Sequence, residues 1–228
     1  MSIQYILKRS RKRKKTISLQ IGGNSEVLVF APYCTPKSEI NRFVEEKQSW
    51  IDRTVSRQFQ LQNLRMEKTY ATGDKLYYLG QVYPLEAYDE PLENEGVTFW
   101  KERFFLNCPP NPAKQKAYLT AWYKKKALAY LSERVADYEN LLKLKSGGLK
   151  INSATGRWGS CSSDNRLNFC FRLMMAPPRV IDYVIVHELM HIHQKNHSPV
   201  FWNLVGQAMP DYPRHKRWLR EHQHELHL

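Results

Sequence analysis

The segment His187-Glu188-Leu189-Met190-His191 sets two imidazoles four residues apart with a carboxylate beside the first. On an α-helix those histidines lie about 40° apart on one face and about 6 Å apart along the axis, so both rings can meet one ion. Zinc accepts imidazole nitrogen at about 2.0–2.1 Å, prefers tetrahedral geometry and keeps one position open for water at a catalytic site. Glu188 would stand next to that position, where a carboxylate can take the proton of an attacking water. The chemistry expected is metal-assisted hydrolysis.

Two histidines do not complete such a site. The continuation Ile192-His193-Gln194-Lys195-Asn196-His197-Ser198-Pro199 offers a third. In an unbroken helix His197 would point about 120° away from His191 and sit about 9 Å further along. Asn196 suits a left-handed C-terminal cap, however, and Ser198-Pro199 reads as an N-cap and first-turn proline opening another helix with Phe201, Trp202 and Val205. His197 then falls in a tight inter-helix turn and can fold back to the metal. His193 points away from His191 and is expected in the surroundings of the site or at the surface.

The elements that must carry these residues can be read from pattern. Ala176-Pro177-Pro178 sets up a helix start, and Val180, Ile181, Val184, Ile185, Leu189 and Ile192 form an apolar stripe, so the metal-bearing helix should be largely buried. Before it, Leu167 to Leu173 alternates cleanly, and with Arg157–Ser163 it predicts a hairpin. A long helix is expected over Lys114–Lys145, with Tyr118, Trp122, Leu128, Leu131, Val135, Tyr138 and Leu142 as core, ended by Gly147-Gly148. Residues 3–31 read as a hairpin turning at Gly22-Gly23-Asn24-Ser25, followed by one helix from an N-cap at Ser38 to about Arg65, with Ile40, Phe43, Val44, Trp50 and Ile51 as its apolar stripe. Short aromatic strands broken at Thr72-Gly73-Asp74, Gly80 and Asn94-Glu95-Gly96 fill Tyr70–Cys108. Pro109-Pro110-Asn111-Pro112 marks a division, giving a β-rich region with one helix over 1–110 and a catalytic domain over 111–228.

Composition narrows the class. The 228 residues can bury a sizeable core without staples, and Cys34, Cys108, Cys161 and Cys170 form no CxxC pair, so free thiols in a reducing compartment are expected. No stretch has the roughly 18–20 apolar residues of a membrane span, and the N-terminus lacks a signal-peptide pattern, which predicts a cytoplasmic protein with no membrane partner. The formal net charge of +13 gives a field that attracts anions, and seven of the eight residues Lys8–Lys15 are basic. A solvated hairpin face or a nucleic-acid patch both fit that run.

The run Arg157-Trp158-Gly159-Ser160-Cys161-Ser162-Ser163, the His187–His191 helix and Asn196-His197-Ser198-Pro199-Val200-Phe201-Trp202 together resemble the YgjP-like predicted metal-dependent hydrolases, relatives of the SprT-like and WLM-type zincins. The resemblance extends over most of the chain. It implies an α+β fold whose zincin-like catalytic domain packs the HExxH helix on a small, mainly antiparallel sheet. It further implies one Zn2+ held by residues matching His187, His191 and His197, and a general base matching Glu188. The span from His187 to His197 also matches metzincin spacing, with Gln194 where those proteins carry glycine; Met209 is expected in the core. In zincins a strand beside the metal helix accepts an extended peptide. Arg157, Gly159 and Ser160 are the corresponding substrate-binding candidates, Arg157 and Tyr183 are candidates to stabilise an oxyanion, and Cys161 is expected to be a buried, inert thiol.

Three functions remain open at this point. A zinc metallopeptidase acting on unfolded or extended peptides leads; a metal-dependent nucleotide phosphohydrolase is favoured by charge but lacks a Walker-type loop and a carboxylate cluster for magnesium. A nucleic-acid-associated protease or binding protein draws on the basic run and on Arg214–Arg220. The tail histidines 222, 224 and 227 match no metal motif and are expected to face solvent.

Overall fold

The computed structural model describes residues 3–22, 26–64, 69–88 and 95–228. The expected turn residues 23–25, Asn94 and the helix end at Arg65 lie outside them. The chain divides into two compact units, Met1–Glu67 and Lys68–Leu228.

In the first unit β1 (Ile6–Ser10), β2 (Ser18–Ile21) and β3 (Val27–Pro32) form a sheet in the order β1-β3-β2, followed by α1 (Lys37–Glu46) and α2 (Gln48–Leu64). The predicted hairpin is β2–β3, which pair antiparallel, whereas β1 pairs with β3 in parallel. Alternation decides what is buried: Val27, Val29 and Ala31 of β3 join Ile40, Val44 and Ile51 in a small core. The single helix expected over Ser38–Arg65 is two. Pro36 occupies the N-cap position and the chain breaks at Lys47, whose amide bonds back to Glu45 and Val44. Trp50, expected in the apolar stripe, is exposed. The basic run is partly held by aromatic rings, with Lys8 and Arg13 over Phe30 and Arg11 over Tyr33.

The second unit begins with a four-stranded sheet of β4 (Lys75–Tyr78), β5 (Gln81–Tyr88), β6 (Gly96–Trp100) and β7 (Arg103–Asn107), in the order β4-β5-β7-β6. The long helix α3 (Pro112–Leu142) follows, started by the Asn111 side chain accepting from the Lys114 amide and stopped by Lys143 in the left-handed conformation, earlier than the glycine pair suggested. Its buried face, Leu119, Tyr123, Ala127, Leu131, Val135 and Tyr138, repeats at three- and four-residue intervals. Leu128, expected in the core, is exposed. Leu76, Leu85, Phe104 and Leu106 of the sheet share one core with that face. The division expected at residue 110 therefore falls inside the second unit: Pro109–Pro112 is a connector between elements that bury each other.

The fold is α+β. After α3 come β8 (Leu149–Asn152), β9 (Gly159–Cys161) and β10 (Leu167–Cys170), in a three-stranded sheet with order β8-β10-β9. β10 pairs antiparallel with β9 and parallel with β8, so the hairpin is present and β9 forms an edge. The strand pattern expected to reach Leu173 gives way at Phe171 to a 3-10 turn through Met175, all of whose apolar side chains are buried. Helices α4 (Pro178–Met190), α5 (Pro199–Ala208) and α6 (Tyr212–His222) complete the unit. The tail does not simply face solvent: Leu226 is buried and Tyr77 donates to Glu225 at 3.1 Å. Among the described residues no helix is long and apolar enough to cross a membrane.

Candidate active site

Helix α4 owes its position to both ends of its apolar face. Ile181, Ile185 and Leu189 are fully buried, and Asp182, also buried, accepts three hydrogen bonds of 2.9–3.1 Å from the Arg134 guanidinium on α3. At its start, Gly80 in the β4–β5 turn has φ +80°, and a Cβ there would lie 2.8 Å from the Pro177 backbone, so only glycine permits this approach. The helix ends sooner than expected. Met190 is its last residue, His191 is the C-cap, and the amides of His193 and Gln194 both bond to the Met190 carbonyl. Asn196 is not the left-handed cap the sequence suggested. Its side-chain oxygen instead accepts from the Ser198 amide at 3.2 Å and from Gln194 at 2.9 Å, while Ser198 accepts from Gln194 at 3.1 Å. Pro199 then opens α5 as expected.

That reversal returns His197 to the helix it left. Its Nε2 lies 3.0 Å from His187 Nε2, and ligand nitrogens of His187, His191 and His197 all fall within 4.8 Å of one another. Tetrahedral ligands at zinc distances are separated by about 3.4 Å, inside this spread. His191 Nδ1 lies 2.9 Å from the Gln194 carbonyl. A carbonyl only accepts, so Nδ1 carries the proton and the Nε2 lone pair is left for a metal. Burial, with the neighbouring His191, His197 and Lys216, pushes His187 down to about 3, and burial lowers His191 against the opposing Gln194 carbonyl. Neutral imidazoles are the ligand form. His187 Nδ1 is buried without a partner among the described residues. The donor set fits a divalent metal of borderline softness. Phe201 stacks on the His191 ring and Trp202 on the His197 ring, at centroid distances of 4.4 and 5.7 Å.

The remaining anchor of the ligand turn is Lys195, whose ammonium donates to the Ser162 carbonyl at 2.9 Å and to Asn165 Oδ1 at 2.6 Å, tying the turn to the β9–β10 connection. Nothing in the sequence pattern marked it, because its partners come from a hairpin 30 residues earlier.

Glu188 is 5 % exposed. Burial pushes its carboxyl up to about 8, and Arg157 opposes the shift. A Cβ added at Gly159 would lie 2.6 Å from Glu188 Oε1 and 2.7 Å from Cγ, so β9 runs directly against this carboxylate. Glu188 and His187 open into a cleft of about 330 Å³ whose walls also include Arg157, Tyr183 and Leu219. Arg157 and Gly159 thus reach the cleft. Ser160 is not among its lining residues and pairs with Asn168 across the hairpin. Tyr183 lines the cleft and its ring meets His187 edge-on at 5.9 Å. His193 is exposed, and Met209 is buried in the core. Cys161 is half-buried, its thiol pushed up by burial, with the Lys195 ammonium 3.7 Å away. Sequence reasoning missed Lys216 and Arg220 of α6 and its C-cap Gln223 as cleft residues; the first two stood out only as part of a basic run.

An α+β protein with converging imidazoles and a buried carboxylate on one short helix is of the class that carries out hydrolysis at a divalent metal. Residues 15–222 match the family described as "YgjP-like, metallopeptidase domain", and the chain belongs to that family. Membership implies a divalent metal, for which the three-histidine cluster is present. Among solved structures, the crystal structure of the metallopeptidase zymogen of Pyrococcus abyssi abylysin is similar at 16 % identity and a TM-score of 0.37, over 40 % of this chain and 94 % of that one. No curated protein matches.

Proposed function

We propose that the protein is a zinc-dependent metallopeptidase in which His187, His191 and His197 hold the metal and Glu188 is the general base. The observation that carries this reading is the convergence of three imidazoles within 4.8 Å beside a buried carboxylate that faces a cleft. Three nitrogen donors suit zinc better than magnesium or calcium, which favour oxygen. His187, His191 and His197 would hold the zinc, which would supply Lewis acidity for the hydrolysis.

The remaining work falls to the chain. Glu188 takes the proton of the attacking water and delivers it to the leaving amine, from a carboxylate that α4 and β9 hold against the cleft. The edge of β9 leaves one row of backbone groups open to an extended peptide, beside the glutamate that must reach the bond. Arg157 and Tyr183 line the cleft where the developing oxyanion needs a donor.

Metal analysis with a peptide-cleavage assay tests this. The Glu188→Gln protein should keep its zinc and lose turnover by about 10²–10⁴-fold; full turnover with zinc retained rules the base out. A second reading, nucleotide phosphoanhydride hydrolysis, is favoured by the cations around the same cleft, although a three-imidazole centre is a poor site for the magnesium that accompanies nucleotides. Release of phosphate from nucleoside triphosphates without peptide cleavage would replace the first reading by the second.

A further inference from the structure

Some cations elsewhere in the second unit pair with acids, while others, such as Lys124, Lys125 and Lys150, have no ion-pair partner among the described residues. Arg103 pairs with Glu86, Lys114 with Glu95, Arg134 with Asp182 and Lys145 with Glu139. The cleft beside the three histidines is set apart by gathering three cations in one hollow. Arg157 enters it from the loop preceding β9, and Lys216 and Arg220 enter it from successive turns of α6, while Glu188 is the one carboxylate on its walls. Neither Arg157 nor Lys216 has an ion-pair partner among the described residues, and Arg220 has only the exposed Glu221 at 3.8 Å. The Lys216 ammonium is held over the Trp202 ring, 3.8 Å from its centroid, which fixes a positive charge beside the turn carrying His197.

Charge density of one sign, gathered on two separate elements and left unmatched, raises the local concentration of anions and orients them. The floor between the cations is apolar, with Val184 and Leu219 buried. A bound group therefore needs a short apolar stem and an anionic end. The volume of about 330 Å³ is at the small end of ligand clefts and admits about one substrate residue. Because the same walls include His187 and Glu188, that residue must adjoin the bond being cut.

We propose that this cleft is a subsite for a carboxylate of the peptide substrate, next to the scissile bond. The inference rests on the peptidase reading above. The carboxylate can come from an aspartate or glutamate side chain or from the free C-terminus of the chain, and the cations recognise both alike. Arg157 and Lys216 are the principal contacts, with Arg220 at the rim. A peptide whose adjoining residue is neutral forfeits those contacts, and one with lysine there meets repulsion.

The test separates binding from turnover. Zinc-loaded full-length protein carrying Glu188→Gln is titrated with fluorescent peptides of one sequence in which the residue beside the intended bond is Glu, Gln or Lys, each with a free-acid or an amidated C-terminus. The expected result is about tenfold tighter binding of the carboxylate-bearing peptides, the gain of about one charge-assisted hydrogen bond. That preference should shrink as salt rises from about 0.05 to 0.5 M. Whether the side-chain arm or the C-terminal arm carries it identifies the source. Lys216→Glu and Arg157→Gln should each collapse the ratio of acid to neutral binding, and the pair should favour the lysine peptide. Circular dichroism and zinc content show that the variants fold.

Equal binding of acid, neutral and lysine peptides overturns the subsite, as does a preference that survives both substitutions. Cleavage is then measured with Glu188 restored. Peptide cleavage without acid preference removes the subsite and leaves the peptidase. Carboxylate-dependent binding without any cleavage removes the peptidase and with it the substrate subsite, leaving a cleft that binds carboxylates. Displacement of the acidic peptides by a nucleoside triphosphate, which is then hydrolysed, assigns the cations to phosphate and overturns the proposal.

Discussion

Replacing Gly159 by alanine tests whether β9 sets the position of Glu188, the proposed base. The new methyl carbon would lie 2.6 Å from Glu188 Oε1, 2.7 Å from Cγ and 2.9 Å from Cδ, whereas ordinary contact begins at 3.4 Å. Something must move by close to 1 Å. The helix backbone resists, since Ile185 and Leu189 on either side of Glu188 are fully buried. The strand resists because Gly159 pairs with Phe169 in the hairpin and Phe169 is fully buried. The Glu188 side chain is the softest member and rotates away. A displacement of about 1 Å at a reacting group costs about 10²-fold in rate, and the loss should fall in kcat more than in KM because the carboxylate acts in the transition state. A fluorogenic peptide assay gives both constants, while zinc content and Tm stay near wild type. In a Glu188→Ala background the same alanine should have little further effect on the residual rate, since no Cγ, Cδ or Oε1 remains beside the new methyl. A Gly159→Ala protein with wild-type kcat would refute the reasoning, and so would a rate loss fully accounted for by lost zinc.

Further expectations concern the supports of the site. Lys195→Ala frees the ligand turn from the Ser162 carbonyl and Asn165, and competition with a chromophoric chelator should show zinc affinity weakened by about tenfold. Arg134→Ala strands the buried Asp182 carboxylate on α4; urea unfolding should show a loss of about 3 kcal/mol, much of it recovered by adding Asp182→Asn. Glu139 shows the sign of a pH effect. Burial raises its carboxyl, but hydrogen bonds from the Ser146 hydroxyl and amide and the Lys145 ammonium prevail and hold it below its ordinary value. A depressed folded value means that its contribution is fully present above the ordinary glutamate range and is lost as pH falls through the folded value. Glu139→Gln should cost about 1–2 kcal/mol at pH 7, with the two stability curves converging in acid as pH falls below the ordinary glutamate range.

The sequence by itself determined what depends on local spacing. Two histidines separated by one helical turn share a face whatever surrounds them, and Ser198-Pro199 opens a new helix wherever it occurs, so the pair His187 and His191 and the need for a reversal before residue 199 were legible. Periodicity likewise exposed the β9–β10 hairpin and most of α3. The route of the reversal was not legible. Asn196 suggested a left-handed cap, but the helix stops at Met190 and the turn is held by Gln194, Lys195 and Ser198, whose hydrogen bonds depend on partners in three dimensions. The boundary placed at residue 110 failed for a related reason: prolines mark where an element ends, not whether the elements on either side bury one another, and Phe104 and Tyr123 do. The cleft was decided by tertiary structure alone. Arg157 and Lys216 are far apart in the chain and carry no shared pattern; only the packing of β9 and α6 on either side of α4 brings their charges to the same hollow as Glu188.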